Sequence, residues 1–121
     1  MQPPLVRRKL IPLAQSIAGQ DIGQTIIVKD KTVVAVEAME GTDACIQRAG
    51  QIAGPGCVII KVARPKQDPR FDVPVIGPRT LDSMKEAKAR ILALEAHKTL
   101  LLDKDQLLKV ANAHKLCITG V

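Results

Sequence analysis

CVIIKVA, at residues 57–63, is an almost unbroken apolar run with one charged residue, Lys61, near its end. Strands that are covered on both faces have this continuous pattern, whereas half-exposed strands alternate between apolar and polar residues. The run therefore predicts a central strand over Cys57 to Val62, with other elements packed on both of its sides.

The residues before this strand change from a helical to an extended pattern and back. The expected elements are a helix over residues 4–18 that Gly19 ends, a β-hairpin of residues 25–28 and 32–36 around a turn at 29–31, and a helix over residues 42–53. Thr42 is the expected N-cap of the last of these helices. The hairpin turn has no glycine, so its type stays open.

The residues after the strand begin with a proline-rich stretch, 63–79, which we interpret as a long ordered loop. A loop of that length in a compact domain is more often functional than idle. The elements expected after it are a helix that Thr80 caps, strands over 91–95 and 98–102, a helix that Asp103 caps with Gln106 as its capping-box partner, and a strand over 116–119. This order predicts an α/β fold, with a mostly parallel sheet that contains one antiparallel hairpin and with helices packed on the sheet.

The composition is that of one soluble globular domain spanning residues 1–121. Hydrophobic residues make up 46% of the chain and charged residues 25%, which argues against disorder. Phe71 is the one aromatic residue, so the core must be aliphatic. The net charge of +6 favours an anionic partner, but the chain has no stacking aromatics and no known nucleic-acid motif. We therefore expect no nucleic-acid partner.

The sequence predicts a cytoplasmic location. No apolar run approaches the length of a membrane span or of a signal peptide. Cys45, Cys57 and Cys117 lack CxxC spacing, and we interpret them as buried thiols in a reducing compartment. His97 and His114 have no partner at metal-ligand spacing and are expected to be structural or exposed.

The turn Glu40-Gly41-Thr42-Asp43 lies where a strand passes into a helix. The helix N-terminus there can bind a phosphate, and acidic side chains can bind a hard cation. The plainer alternative is that Gly41 turns the chain, Thr42 caps the helix and Asp43 complements the helix dipole. On this motif alone, we favour the plainer alternative.

The segment Gln67-Asp-Pro-Arg70-Phe-Asp72 follows the buried strand, at the place where α/β sheets bind ligands. Arg70 suits a phosphate and Asp72 suits a divalent cation. The alternative is a cluster of surface ion pairs; the prolines that stiffen this loop favour a functional role. Lys61 is evenly balanced between a phosphate contact and a lysine whose long stem reaches solvent.

Four blocks of the chain, which together span most of it, resemble the C-terminal half of LpxI-type UDP-2,3-diacylglucosamine pyrophosphatases. They are DIGQTIIVKDKTVVAVEAMEGTDACIQRAG at 21–50, KVARPKQDPRFDVPVIGPRTL at 61–81, LEAHKTLLLD at 94–103 and LCITGV at 116–121. The chain departs from the family's pattern at Lys31 and His97, where most relatives are expected to have glycine.

The resemblance implies a hydrolase of lipid A biosynthesis that splits UDP-2,3-diacylglucosamine into UMP and lipid X with a divalent metal, typically Mg²⁺. It implies that Asp72, in the family's R-x-D-x-P motif, is the catalytic residue and a metal ligand, and that Asp43 is a second metal ligand. The substrate contacts that it implies are Glu40, Gly41, Thr42, Lys61, Gln67 and Arg70.

The resemblance also implies an N-terminal domain that this chain lacks, so the domain alone is expected to be weak or inactive. Transient contact with the inner-membrane surface through the lipid substrate is a further expectation, and a homodimer stays open. Two alternatives to the enzyme remain at this point: a module that binds a nucleotide or an acyl-sugar phosphate without turnover, and a structural dimerisation domain.

Overall fold

The structure, a computed structural model, describes residues 9–63, 75–95 and 98–120. Its helices and strands alternate along the chain, which confirms the α/β fold class. In chain order they are α1 (Ile11–Gly19), β1 (Thr25–Lys29), β2 (Thr32–Val36), α2 (Thr42–Ala53), β3 (Val58–Lys61), β4 (Val75–Ile76), α3 (Pro78–Ala87), β5 (Ile91–Leu94), β6 (Leu100–Leu101), α4 (Lys104–Ala113) and β7 (Cys117–Gly120).

Five of the strands form one sheet in the order β2-β1-β3-β5-β7. Strand β1 is antiparallel to both of its neighbours, whereas β3, β5 and β7 are parallel to one another. Four strands of this sheet therefore run in the same direction, with their carboxyl ends at one edge. Strands β4 and β6 form a small parallel sheet of their own.

Both faces of strand β3 are buried, as its apolar sequence predicts. Ile59 packs in the core beneath helices α2, α3 and α4, whereas Val58 and Ile60 pack in the core beneath α1. Each core continues across the sheet because successive side chains on a strand point to opposite faces. No helix among the described residues is long and apolar enough to cross a membrane.

The hairpin turn between β1 and β2 is closed by two residues, Asp30 and Lys31, that both adopt positive φ angles of 50° and 67°. This conformation is that of the primed turns, whose twist matches the twist of the flanking strands. The turn type that the sequence left open is therefore resolved, with a lysine in a position that usually favours glycine or asparagine.

The expected side-chain caps of the helices are wrong. Gly41 rather than Thr42 is the N-cap of α2, and Gly77 rather than Thr80 is the N-cap of α3. Both threonine hydroxyls instead contact side chains from other parts of the chain, as the next section describes. Asp103 does occupy the N-cap position of α4, but its side chain makes no capping hydrogen bond.

The expected loop over 63–79 is partly wrong, because Val75–Ile76 is a strand and Pro78 begins helix α3. Residues 64–74, including Phe71, and residues 4–8 of the first expected helix lie outside the described residues, as does His97. His114 is exposed, in agreement with the expectation.

Two burial expectations are also wrong. Cys45 and Cys57 are buried, but Cys117 is exposed. Cys117 lies in register with Val58 and Ile91 on the α1 face, at the edge strand β7, whereas α1 packs over β1 and β3. Helical spacing in the sequence predicts that Leu107, Leu108 and Ala111 all face the core. Leu107 and Ala111 are buried, but Leu108 is exposed.

Candidate functional site

Polar side chains gather at the carboxyl edge of the sheet, where α/β domains generally bind their ligands. Lys61 ends strand β3, and Glu37 and Glu95 directly follow strands β2 and β5. Thr25 begins the antiparallel strand β1 opposite Lys61, so it lies at the same edge. The N-termini of α2 and α3 also lie there.

Lys61 is a buried cation at this edge, only 8% exposed. Its ammonium donates a hydrogen bond to Oγ1 of Thr42 at 2.9 Å, and that hydroxyl in turn donates to Oε2 of Glu37 at 2.9 Å. Oγ1 of Thr25 lies 3.4 Å from the same hydroxyl. Thr42 therefore connects a buried cation to a buried carboxylate.

The charge of Lys61 results from two opposing effects. Burial lowers the pKa of its ammonium below the ordinary value, and the carboxylates of Glu37 and Asp43 act in the opposite direction. The two acids therefore favour the charged form in a place where desolvation disfavours it. An ammonium has three N–H donors, and the bond to Thr42 uses one of them. Within residues 9–63, 75–95 and 98–120 no hydrogen bond uses the others, so a ligand oxygen can accept from them there.

Asp43 joins the N-termini of α2 and α3. The hydroxyl of Thr80 on α3 approaches Oδ1 of Asp43 at 3.4 Å, a long contact. Asp43 lies in the first turn of α2, where its negative charge is also favoured by the helix dipole. This contact explains why Thr80 is buried within α3 instead of capping it.

The other two residues of the turn differ from Thr42 and Asp43 in their surroundings. The guanidinium of Arg48 binds the carboxylate of Glu40 and also donates to the carbonyl oxygen of Val36 at 3.1 Å. The bond from Arg48 holds the pKa of the Glu40 carboxyl below its ordinary value. Gly41 has a φ of +91°, and a Cβ added there would have no atom of the described residues within 4 Å.

Glu95 is a second buried carboxylate at this edge, 8% exposed. Its Oε1 accepts from the backbone N–H of Ala63 at 2.9 Å, and its Oε2 accepts from Nε2 of Gln15 at 2.8 Å. The ammonium of Lys98 is 3.5 Å from Oε2. This carboxylate therefore joins helix α1 to the residues that follow β3 and β5.

The described residues bring together Thr42, Asp43 and Lys61 of the site residues expected from the sequence. Gln67, Arg70 and Asp72 lie outside the described residues, so their roles stay predictions. The site residues expected from the sequence did not include Thr25, Glu37, Thr80 or Glu95. The sequence does contain a signal for the two glutamates. Each directly follows an apolar strand, and Lys61 is the last residue of another.

A divalent cation would need more ligands than the described residues offer. Carboxylate and hydroxyl oxygens suit Mg²⁺ in kind. However, no three His, Cys, Asp or Glu side chains within residues 9–63, 75–95 and 98–120 are grouped closely enough to hold a metal ion. Lys61 moreover already interacts with both Glu37 and Asp43. The described residues therefore do not form a metal site by themselves.

The sheet has a buried lysine, hydroxyls and carboxylates at its carboxyl edge. This arrangement is that of the class of α/β domains that hold polar or phosphorylated ligands at this edge. Within that class, the chain belongs to the LpxI family, because its residues 8–119 match the model of the LpxI C-terminal domain. It is 32% identical over 121 residues to the UDP-2,3-diacylglucosamine pyrophosphatase LpxI of Caulobacter vibrioides. The match covers 93% of this chain but 43% of that relative, so the chain spans less than half of the relative's length.

Proposed function

We propose that this chain is the C-terminal catalytic half of a hydrolase that splits UDP-2,3-diacylglucosamine into UMP and lipid X in lipid A biosynthesis. The observation that carries the proposal is the match of residues 8–119 to the LpxI C-terminal domain. The relative from Caulobacter vibrioides supports the substrate through its name, and the buried ammonium of Lys61 supports a ligand with anionic oxygens.

Charge neutralisation is the chemistry that this reaction requires. Attack of water on the α-phosphorus of the substrate's diphosphate builds negative charge on oxygen, and fixed cations in a water-poor site stabilise that charge. In this proposal the Lys61 ammonium, held by Thr42 and Glu37, contacts a phosphate oxygen. Arg70 contacts another, and Gln67 and the turn at residues 40–42 complete the substrate contacts.

Asp72 is the proposed catalytic residue and Mg²⁺ the proposed cofactor. An aspartate can hold a divalent cation or orient the attacking water, and both roles suit this position in the sequence motif Arg70-Phe71-Asp72. A magnesium ion on Asp72 and Asp43 would neutralise the diphosphate. The donor chemistry of Asp43 supports this assignment, although Asp43 needs partners beyond the described residues.

UMP release tests the proposal directly. The chain is mixed with UDP-2,3-diacylglucosamine and Mg²⁺, alone and together with the part of the Caulobacter vibrioides relative that it does not cover. We expect release with the added part, and a loss of about a hundredfold or more in Asp72→Asn. Asp82→Asn, the same change at an exposed position of α3, should leave the rate unchanged.

Two results would contradict the proposal. Normal turnover by Asp72→Asn would remove that residue from the mechanism. Binding of UMP or lipid X without any release, even with the added part, would favour a binding module over an enzyme.

We further propose that the protein works in the cytoplasm and contacts the inner-membrane surface transiently, through its diacylated substrate. The net charge of +6 supports attraction to anionic lipid. Sedimentation with anionic vesicles, with and without lipid X in them, measures this contact. Light scattering on the protein without vesicles measures its mass and tests whether it forms a homodimer.

A further inference from the structure

The Glu95 carboxylate takes the place of a main-chain acceptor at the end of the pairing between β3 and β5. The backbone N–H of Glu95 donates to the carbonyl oxygen of Lys61 at 3.3 Å, as a parallel ladder requires. The next bond of such a ladder would run from the N–H of Ala63 to the carbonyl oxygen of residue 95. Here the Ala63 N–H donates instead to the Glu95 side chain at 2.9 Å.

The replacement of a main-chain acceptor by a side-chain acceptor marks the end of the pairing between β3 and β5. Val62 is still held by β1, because its N–H donates to the carbonyl oxygen of Gln24 at 2.9 Å. Ala63 is held by the Glu95 side chain, which Gln15 on α1 also holds. Residues 64–74, which include Arg70 and Asp72, follow Ala63 directly in the sequence. The carboxylate therefore holds the backbone of Ala63, the residue from which the sequence continues to Arg70 and Asp72.

We propose that Glu95 is a positioning residue of the hydrolase, which fixes the departure of the chain from β3 by the reach of its side chain and not by its charge. This inference rests on the proposed function above. The alternative is that Glu95 contributes a negative charge, for example by balancing Lys98. That ion pair is 3.5 Å long and Lys98 is largely exposed, so its contribution to stability is small.

Two conservative variants separate reach from charge. Glu95→Gln keeps the length and loses the charge: its amide oxygen can accept from Ala63, and its NH₂ can donate to Gln15 if the amide of Gln15 turns over. Glu95→Asp keeps the charge and withdraws the carboxylate by about 1.5 Å, the length of one carbon–carbon bond. Glu86→Asp, the same shortening at an exposed position of α3, serves as the control.

The first measurement is hydrogen exchange at the Ala63 amide by NMR, which needs no activity. We expect this amide to exchange about tenfold faster or more in Glu95→Asp, and at close to the wild-type rate in Glu95→Gln and Glu86→Asp. Slow exchange in Glu95→Asp, or equally fast exchange in Glu95→Gln, would overturn the anchoring of Ala63.

The second measurement is UMP release in the presence of the added part of the Caulobacter vibrioides relative, with kcat and KM determined separately. We expect Glu95→Asp to lower kcat by about tenfold to a hundredfold with a smaller change in KM, and Glu95→Gln to retain near-normal kcat. The opposite order, with Glu95→Gln impaired and Glu95→Asp active, would overturn the proposal in favour of charge. If the wild-type protein releases no UMP, the proposed function and the catalytic part of this inference both fail, while Ala63 exchange still decides the anchoring.

Discussion

Thr42 is the residue on which the polar cluster depends, because its one hydroxyl accepts from Lys61 and donates to Glu37. Thr42→Val keeps the shape and removes that hydroxyl, so the buried ammonium and the buried carboxylate each lose the hydrogen bond that they make with it. We expect the free energy of unfolding to fall by about 1–3 kcal/mol in urea denaturation.

Two control variants make this test specific. Thr42→Ser keeps the hydroxyl and should lose less than about 1 kcal/mol. Thr32→Val makes the same chemical change at an exposed position of β2 and should be nearly neutral. Equal stability of Thr42→Val and the wild-type protein would show that the hydroxyl does not connect the two charges.

The three cysteines differ in reactivity because they differ in burial. Burial raises the pKa of the Cys45 thiol to about 11 and also raises the pKa of Cys57, so both remain thiols at neutral pH. Cys117 is exposed on the edge strand β7. At pH 8, a disulfide reagent such as DTNB should modify one thiol of the folded protein rapidly and all three in urea. Cys117→Ser should abolish the rapid phase, and a rapid phase that persists would contradict the burial of the other two.

Helices α2 and α3 lie so close together that glycine is needed at position 50. A Cβ added to Gly50 would lie 2.8 Å from the Cβ of Ala87 and 3.0 Å from its Cα. Alanine usually stabilises a helix interior by about 1 kcal/mol relative to glycine. Here we expect Gly50→Ala to destabilise the protein by about 1–3 kcal/mol, because the two helices must move apart.

A double-mutant cycle with Ala87→Gly checks this prediction. Ala87→Gly alone should cost at most about 1 kcal/mol through its lower helix propensity. In the Gly50→Ala background it should restore part of the lost stability, because it removes the 2.8 Å contact and leaves the contact to Cα. If the losses of stability in the two single variants simply add, the contact between residues 50 and 87 is relieved by some other movement.

The same elements show how much of the fold could be predicted from the sequence. The apolar run of β3 and the polar hairpin turn depend on local patterns, and the structure confirms both elements. The caps could not be predicted locally, because Thr42 and Thr80 each contact an acidic side chain, Glu37 and Asp43 respectively. In the case of Thr80, the two residues are 37 positions apart in the sequence.

The candidate site was predictable to a similar extent. For Lys61 the sequence leaves two explanations open, since a lone lysine in an apolar strand can contact a phosphate or reach solvent along its stem. Its connection to Thr42 depends on how α2 packs against β3, which is a property of the tertiary structure. To predict Glu37 and Glu95 as site residues, one must know the order and direction of the strands. Only strands that run in the same direction bring the residues that follow them to one edge.

At the scale of the whole molecule, the sheet separates two cores. Helices α2, α3 and α4 cover one core, and α1 covers the other through residues such as Ile11 and Ala14. Gln15 on the same helix reaches the Glu95 carboxylate at the carboxyl edge. The docking of α1 therefore supports both the second core and the candidate site.

Ala14→Asp tests this dependence, because it places a carboxylate in the apolar contact between α1 and the sheet. Ala14 is 1% exposed, whereas the neighbouring Leu13 is 39% exposed, so Leu13→Asp serves as the matched control. We expect Ala14→Asp to lower the free energy of unfolding by about 3 kcal/mol or more, since the described residues of this core are apolar and offer the charge no partner. Leu13→Asp should change it by less than about 1 kcal/mol. Urea denaturation followed by circular dichroism measures both, and similar values for the two variants would show that α1 contributes little to the stability of the sheet.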